Sequence, residues 1–136
     1  MQKNVKLSIL TPEKVFFNGE VSQIITETPK GEMGIMAGHM PSIAVVSDSF
    51  LKIQENGVWR GAALGQGIMN VSAAGIELFV DTAEWAEDID VQRSEKALQR
   101  AEERLRGSLS HAEYLRTRTA IARATARLKT AHSKNH

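Results

Sequence analysis

Apolar and polar positions alternate along most of the first 82 residues, as in 5–10 and 76–81. This period of two is that of a strand with one buried face. Asn56-Gly57 is the strongest hairpin signal between such segments, because both residues tolerate positive φ. Two apolar faces can share one core, so we predict an antiparallel β-sandwich. The predicted strands are 5–10, 14–18, 21–28, 33–36, 42–46, 50–54, 59–63, 67–72 and 76–81.

The pattern becomes helical after residue 88. Asp90 is the predicted N-cap of a first helix that runs to about residue 106, where Gly107 takes the position of a C′ glycine. Ser110 and Glu113 have capping-box spacing, which predicts a second helix to about residue 131. The three-residue break between them favours an antiparallel hairpin. The predicted fold class is therefore α+β, a sandwich followed by two helices.

The predicted seam between the helices is thin. Each large apolar side chain contributes about 2 kcal/mol when fully buried, whereas ordering a residue costs about 1–2 kcal/mol. The hairpin therefore depends on helix propensity and on docking. We interpret it as a weakly held, switchable element; permanent packing on the sandwich is the alternative. The predicted seam residues are Val91, Ser94, Leu98, Ala101 and Leu105 on the first helix, and Tyr114, Arg118, Ile121, Thr125 and Leu128 on the second.

Composition narrows the class of protein. The 136 residues include 42% hydrophobic residues and no cysteine, so a single core is expected and disulfides or thiolate metal sites are excluded. The four histidines lack ligand spacing, so no metal site is expected. No apolar run approaches the ~20 residues of a membrane span, and no secretory signal is visible. These features favour a cytoplasmic protein.

The charge changes sign between the two halves. Residues 1–88 hold 6 Lys and Arg against 11 Asp and Glu, whereas residues 89–136 hold 11 against 5. Arg123 and Arg127 share one helix face, and Arg93 and Arg100 share another. In an antiparallel hairpin all four guanidiniums can converge near Asp90, where Arg forks and a helix N-terminus favour phosphate. An ordinary solvated basic face is the alternative.

Two other classes of function fit less well. A basic helical half permits nucleic-acid binding, but Tyr114 is its only aromatic residue and the acidic half repels phosphate. An enzyme using His39, Glu84 or Asp90 lacks a partnered catalytic set. Gly31, Gly34 and Gly38 do not form the dinucleotide-binding pattern and indicate an irregular loop. From the residues alone we expect a non-catalytic protein that does not bind nucleic acid.

Two segments carry a resemblance to a known family. The run Gly31-Glu32-Met33-Gly34-Ile35-Met36-Ala37-Gly38-His39-Met40-Pro41, followed by Ala86-Glu87-Asp88-Ile89-Asp90 and a helical hairpin, resembles the epsilon subunit of F-type rotary ATP synthase. The resemblance covers essentially the whole chain. It implies a ten-stranded sandwich (1–86) that binds the gamma subunit and the c ring, and a regulatory helical hairpin (87–136). It also implies a non-catalytic rotor subunit.

The resemblance assigns roles by position. Glu32 and His39 match the loop that faces the c ring. Members that bind ATP carry the motif I-D-x-x-R-A and a late arginine pair, where this chain has Ser94 in place of alanine. A second departure, at residues 64–71, is expected to affect packing or gamma contact. The ATP-binding residues that the resemblance implies are Glu84, Ile89, Asp90, Arg93, Arg100, Arg123 and Arg127.

The resemblance also implies a mechanism. The hairpin would extend along the gamma subunit and reach the beta and alpha subunits. Arg116, Arg118 and Arg123 would then contact an acidic loop of the beta subunit and inhibit ATP hydrolysis. Residues 110–136 hold six basic residues and one acidic residue. ATP would be a regulatory ligand of the folded hairpin, with no required cofactor and Mg²⁺ left open. The expected location is peripheral, on the cytoplasmic face of the bacterial cell membrane, in a complex that couples hydrogen or other ion transport to ATP synthesis.

Overall fold

A computed structural model of the chain describes residues 4–28, 31–35 and 42–132, with the backbone alone for 27, 28 and 31–35. Ten strands are followed by a 3-10 turn at Ala86–Asp88 and two helices. The elements are β1 (Val5–Leu10), β2 (Val15–Val21), β3 (Gln23–Thr28), β4 (Gly31–Ile35), β5 (Ser42–Val46), β6 (Ser49–Glu55), β7 (Val58–Leu64), β8 (Gly67–Ser72), β9 (Gly75–Val80), β10 (Ala83–Trp85), α1 (Val91–Leu105) and α2 (His111–His132).

The strands form two five-stranded sheets, which confirms the predicted sandwich. We name them sheet A, with the order β2-β1-β9-β8-β5, and sheet B, with the order β10-β7-β6-β3-β4. β1 and β9 pair in parallel, and the other pairs are antiparallel. Alternate residues of both sheets point inward and form one apolar core, in which Leu7, Ile9, Leu51, Ile53 and Leu78 are fully buried.

The strand prediction needs two corrections, one to a predicted strand and one to a strand that was not predicted. The segment 21–28 is two strands, because the chain passes from sheet A to sheet B at Ser22. The Ser22 amide and hydroxyl both donate to the Gln54 carbonyl, at 2.8 and 3.2 Å, which fixes the corner. The short strand β10 was not among the predicted strands, since Ala83-Glu84-Trp85 is too brief to show an alternation. The Asn56-Gly57 hairpin is confirmed, with φ of 53° and 80°.

The helix starts follow the predicted caps. The Asp90 carboxylate accepts a hydrogen bond from the Arg93 amide at 3.0 Å. The Ser110 hydroxyl accepts from the Glu113 amide at 3.2 Å, and the Glu113 carboxylate accepts from the Ser110 amide at 3.3 Å. The end of α1 differs from the prediction. Positive φ among the described glycines occurs at Gly57 and Gly75, so Gly107 follows the helix without the left-handed conformation of a C′ glycine.

The seam between the helices consists of small residues. Ser94 and Ala101 of α1 and Thr117 and Ala124 of α2 are buried. The predicted phase of α2 was therefore only partly correct. Alanine and threonine permit close approach of the helices, and the larger residues Val91, Leu98, Ile121 and Leu128 are half-buried. Of the residues predicted for the seam, Leu105, Tyr114, Arg118 and Thr125 are exposed.

α2 also docks on sheet B, contacting β6 and β7. Ala63 of β7, Ile89 and Ala131 are buried together, with Val91 packed against them. Within the described part of the chain, neither helix is long and apolar enough to cross a membrane.

Candidate functional site

A cleft of about 470 Å³ separates α2 from one end of the sandwich. This volume lies within the range of about 300–1,000 Å³ typical of small-ligand sites. Its wall mixes apolar residues with three cations and three carboxylates, namely Lys14, Arg123, Arg127, Asp48, Glu84 and Asp88. The cleft between the sandwich and α2 thus combines apolar surface with charges of both signs.

Arg123 is bound by two carboxylates of the sandwich. Its Nε donates to Asp48 Oδ1 at 3.0 Å, and its Nη2 donates to Asp81 Oδ2. The Asp48 side chain is only 4% exposed, so its charge is largely removed from water. A buried carboxylate requires such a partner, because desolvation strongly disfavours an unpaired charge. Arg123 therefore joins α2 to two separate loops of the sandwich.

Arg127 lies one helical turn further along α2 and binds Glu84. Its Nε and Nη2 contact the same Glu84 oxygen at 2.8 and 2.7 Å. Glu84 pairs with Ala63 across β10 and β7, so both side chains lie on the outer face of sheet B. The i, i+4 spacing of the two arginines therefore matches two anionic positions at one end of the sandwich.

Gly65 makes room for this arrangement. A Cβ atom at Gly65 would lie 1.9 Å from Asp81 Oδ1 and 2.5 Å from Thr82 Oγ1. The Gly65 amide also donates to the Thr82 carbonyl at 2.8 Å. Gly65 falls in segment 64–71, the second departure from the family pattern. The structure thus connects that segment to the carboxylate that holds Arg123.

Ile89, Asp90 and Ser94 lie where the sandwich meets α1. Ile89 is buried, with 8% exposure, and Asp90 uses its carboxylate as the N-cap of α1. Ser94, the first departure from the family pattern, is 2% exposed. These three residues therefore shape the start of α1, and the hydroxyl of Ser94 lies inside the packed seam.

The predicted convergence of four arginines is not observed. Arg123 and Arg127 line the cleft, but Arg93 and Arg100 do not. Both residues of α1 are exposed, and Arg100 Nε donates to the Lys96 carbonyl of its own helix at 3.4 Å. The physical reason is that α2 turns its arginines toward the sandwich carboxylates, away from the exposed face of α1.

Sequence reasoning missed Lys14 and Asp48, which line the cleft, and Asp81, which binds Arg123. They come from three different loops of the sandwich, so no local motif joins them. The available signal was the excess of acidic residues in residues 1–88, which indicates an acidic surface without saying where it lies. The strand order is what brings the two aspartates together.

Beside the cleft, Trp85 is enclosed by side chains. Phe16 stacks on it with ring centroids 4.5 Å apart, and the Arg60 guanidinium lies 3.6 Å from its ring centre. Arg60 in turn pairs with Glu87 at 3.3 Å. Both faces of the indole are thus occupied, so Trp85 serves packing here and does not offer a stacking surface for a base.

A second notable surface crosses the outer face of sheet A. Val45 pairs with Ile68, Ile68 with Phe79, Phe79 with Leu10, and Leu10 with Val15. These five residues, which we call the outer band, span all five strands. Val45 is 89% exposed and Ile68 is 49% exposed. A continuous apolar band on a polar surface is typical of a protein-binding site.

The remaining predicted residues lie away from the cleft. Glu32 lies in β4, where its backbone pairs with Glu27, and His39 lies outside the described residues. Arg116 and Arg118 are exposed on α2, with the Arg118 guanidinium 5.9 Å from the Tyr114 ring centre. Among residues 4–28, 31–35 and 42–132, no group of three His, Asp or Glu side chains is arranged to hold a metal ion.

Comparisons with known proteins cover nearly the whole chain. Residues 4–86 match the family model of the ATP synthase delta/epsilon chain β-sandwich domain, and residues 87–132 match that of its long α-helix domain. An ATP synthase epsilon chain of Ruminiclostridium cellulolyticum is 43% identical over 122 residues, covering 90% of this chain and 91% of that protein. One from Caldicellulosiruptor bescii is 42% identical over 126 residues, covering 93% and 92%.

Two solved structures share the fold. A chain in the cryo-EM structure of the Euglena gracilis mitochondrial ATP synthase (OSCP/F1/c-ring) matches with a TM-score of 0.82 and 23% identity, covering 95% of this chain and 81% of that one. A chain in the central stalk and c-ring of the Tetrahymena thermophila mitochondrial enzyme matches with a TM-score of 0.65 and 18% identity, covering 96% and 98%.

Proposed function

Because the chain belongs to the ATP synthase epsilon-chain family, whose members are non-catalytic stalk subunits, we propose that its sandwich fastens the gamma subunit to the c ring. It thereby transmits torque between ion flow and the catalytic head. The outer band on sheet A is the observation that carries the proposal. The hairpin packs on sheet B, so the outer band needs a different chain to cover it. Gamma is the partner to which we assign it.

The gamma contact is tested by placing a charge in the outer band. Ile68→Asp puts a carboxylate in the centre of the band, where docking would desolvate it. Asn70→Asp is the matched control. Asn70 lies two residues from Ile68 on the same strand and the same face of the sheet, but it is not part of the outer band. We expect Ile68→Asp to abolish co-purification with gamma and Asn70→Asp to retain it. Equal retention by both variants would remove this face from the proposal.

The c-ring contact is assigned to β4 and the segment that follows it. Glu32 and His39 are its proposed residues, on the basis of the family motif they belong to. This location would hold the protein peripherally at the cytoplasmic face of a bacterial cell membrane. Crosslinking from a cysteine introduced at position 32 to the c ring of the assembled enzyme tests it, and the absence of cysteine from the native chain makes the label specific.

The hairpin is proposed to be a brake on ATP hydrolysis. Arg116 and Arg118 are exposed, whereas Arg123 is held by Asp48 and Asp81. Release of α2 would free Arg123. All three cations could then contact an acidic loop of the beta subunit, next to the alpha subunit. We expect hydrolysis by the assembled enzyme to rise when the three arginines are replaced by Gln, and an unchanged rate would contradict the brake.

ATP is the proposed ligand of the closed hairpin. The cleft offers Arg123 and Arg127 to phosphates and has the volume of a small-ligand site. Glu84 lines the cleft, and Ile89 and Asp90 follow Asp88 of its wall. Arg93 and Arg100 would have to reorient to take part. Ligand at 100 times its dissociation constant stabilises the form that binds it by about 2.7 kcal/mol. Calorimetric titration with ATP tests the site, since binding that survives R123A/R127A unaltered would place it elsewhere.

A further inference from the structure

Each of the two cleft arginines already has its Nε/Nη2 edge engaged by carboxylates. A guanidinium grips phosphate or carboxylate best through two adjacent N–H groups. Arg123 uses Nε for Asp48 and Nη2 for Asp81. Arg127 directs the same two nitrogens to one oxygen of Glu84. A phosphate that approaches either arginine through this edge therefore meets donors that carboxylates already use.

The net charge around the cleft also disfavours the binding of a phosphate. The three cations of its wall face three carboxylates, and Asp81 adds a fourth through its bond to Arg123. A triphosphate entering such a site is not attracted by a net positive charge, and the nearby carboxylates repel it. The positive potential that a nucleotide needs becomes available only when carboxylates leave the arginines.

We propose that Asp48 and Asp81 compete with the phosphates of ATP for Arg123, an inference that rests on the proposed ATP site. The two carboxylates hold α2 on the sandwich in the absence of nucleotide. ATP replaces them and holds the same helix in their place. The hairpin is thus closed by either of two alternative anions, and its affinity for ATP is lowered by the carboxylates that must be displaced.

The surrounding structure positions both competitors. Asp48 is held at 4% exposure, so its carboxylate has few alternatives to Arg123. Gly65 leaves space for Asp81, which any Cβ would take. Neither aspartate belongs to the residues that the family motif assigns to ATP. Their replacement therefore removes the competitor and leaves the proposed nucleotide contacts intact.

The test compares D48N/D81N with E20Q/E77Q in the full chain. The control removes two carboxylates from the exposed face of sheet A, far from Arg123, so both variants change the net charge equally. Loss of docking alone would also lower apparent ATP affinity, since only the closed fraction binds. Affinity is therefore measured by calorimetry in an A63C/A131C background, whose disulfide joins two residues of one buried cluster and keeps α2 closed.

In that background we expect D48N/D81N to bind ATP roughly tenfold more tightly than the parent, and E20Q/E77Q to match the parent. Unchanged or weaker binding by D48N/D81N would overturn the competition while leaving the ATP site itself in place. Failure of the parent and of both variants to bind ATP would overturn the proposed ATP ligand as well. The three results are distinct.

A second measurement does not need the disulfide. Amide hydrogen exchange in residues 117–131 of the uncrosslinked protein should be faster in D48N/D81N than in E20Q/E77Q when nucleotide is absent. Saturating ATP should abolish that difference, because the phosphates have replaced the carboxylates in every variant. A difference of the same size with ATP bound would show that the aspartates keep their bonds to Arg123, and the proposal would fall.

Discussion

The Arg123 guanidinium joins α2 to two carboxylates of the sandwich. Its side chain is 39% exposed, its partner Asp48 is 4% exposed and its partner Asp81 is 43% exposed. An exposed ion pair contributes about 0.5 kcal/mol, whereas removing one partner of a buried pair costs about 3–5 kcal/mol. The Asp48 contact lies between these limits. The docking of α2 therefore depends on a few side chains.

Glu113 gives a prediction on pH. Its hydrogen bonds with Ser110 lower the pKa of the Glu113 carboxyl below its ordinary value, and the charge of Arg116 adds to this. A lowered pKa in the folded state stabilises α2 above the unfolded pKa of about 4.3, and this contribution is lost as pH falls through the folded pKa. We expect the difference in free energy of unfolding between wild type and Glu113→Gln to shrink on acidification from pH 6.

Circular dichroism of urea unfolding at several pH values measures this difference. Glu102→Gln is the control, because Glu102 is an exposed glutamate of α1 outside any cap. A pH dependence that is the same for Glu113→Gln and Glu102→Gln would contradict the capping-box contribution.

The residues of the cleft were only partly predictable. Arg123, Arg127 and Glu84 were identified from positions that resemble a known motif. The ion pair between Arg127 and Glu84 is a finding of the structure. Asp48 and Asp81 were not predicted as partners of Arg123, because the sequence alone does not show which loops of a sandwich lie together at one end. That information is carried by the strand order of sheets A and B, which depends on pairings between distant residues.

Among the elements, the hairpin differs from the sandwich in how it is packed. The sandwich buries large residues such as Leu7 and Leu51, while the buried seam of the hairpin is made of Ser, Thr and Ala. Burial stabilises in proportion to apolar area, so each turn of α2 gains less from packing than each strand. Helix caps and ion pairs therefore matter more for α2 than for any strand.

Replacement of Gly107, which follows α1, and of Gly75, which begins β9, should change the free energy of unfolding in opposite directions. Gly107 lacks positive φ, and a Cβ would meet only the Arg104 carbonyl, at 3.4 Å. Gly75 has φ of +135°, and its Cβ would lie 2.5 Å from the Lys6 carbonyl oxygen. We expect Gly107→Ala to raise the free energy of unfolding by about 0.5 kcal/mol by restricting the unfolded chain, and Gly75→Ala to lower it by about 1–3 kcal/mol through strain.

Urea unfolding followed by circular dichroism measures both. A destabilised Gly107→Ala variant would indicate that the break between α1 and α2 needs glycine after all. The position of the helix end was predicted within one or two residues, whereas its backbone conformation was set by the path that the chain takes toward Ser110.

As a whole, the molecule presents two different faces. Sheet B carries the basic hairpin through ion pairs, and sheet A carries the apolar outer band. A partner bound to sheet A would not compete with the hairpin for surface. The proposed partner on sheet A and the proposed release of the hairpin from sheet B would therefore not exclude each other.

Salt should weaken the docking of α2 and leave the sandwich core unchanged. The Debye length falls from about 30 Å at 0.01 M to about 3 Å at 1 M salt, which weakens exposed ion pairs and leaves an apolar core unaffected. We expect NaCl to accelerate amide exchange in α2 and to leave β1, β6 and β9 protected. D48N/E84Q should show fast exchange in α2 at low salt and little further change. Salt-independent protection of α2 would contradict electrostatic docking.

Removing each half separately tests the division of labour in the assembled enzyme. A chain that ends at residue 88 retains all ten strands, the outer band and β4, so we expect it to bind its partners and to support ATP synthesis near the wild-type rate. Hydrolysis should rise, because the proposed brake is gone. Deleting residues 1–86 removes every proposed contact with gamma and the c ring and the face on which α2 packs, so coupling should be lost. Synthesis and ATP-driven ion pumping in membrane vesicles measure both functions, and an equal loss of synthesis from the two deletions would contradict the assignment of coupling to the sandwich.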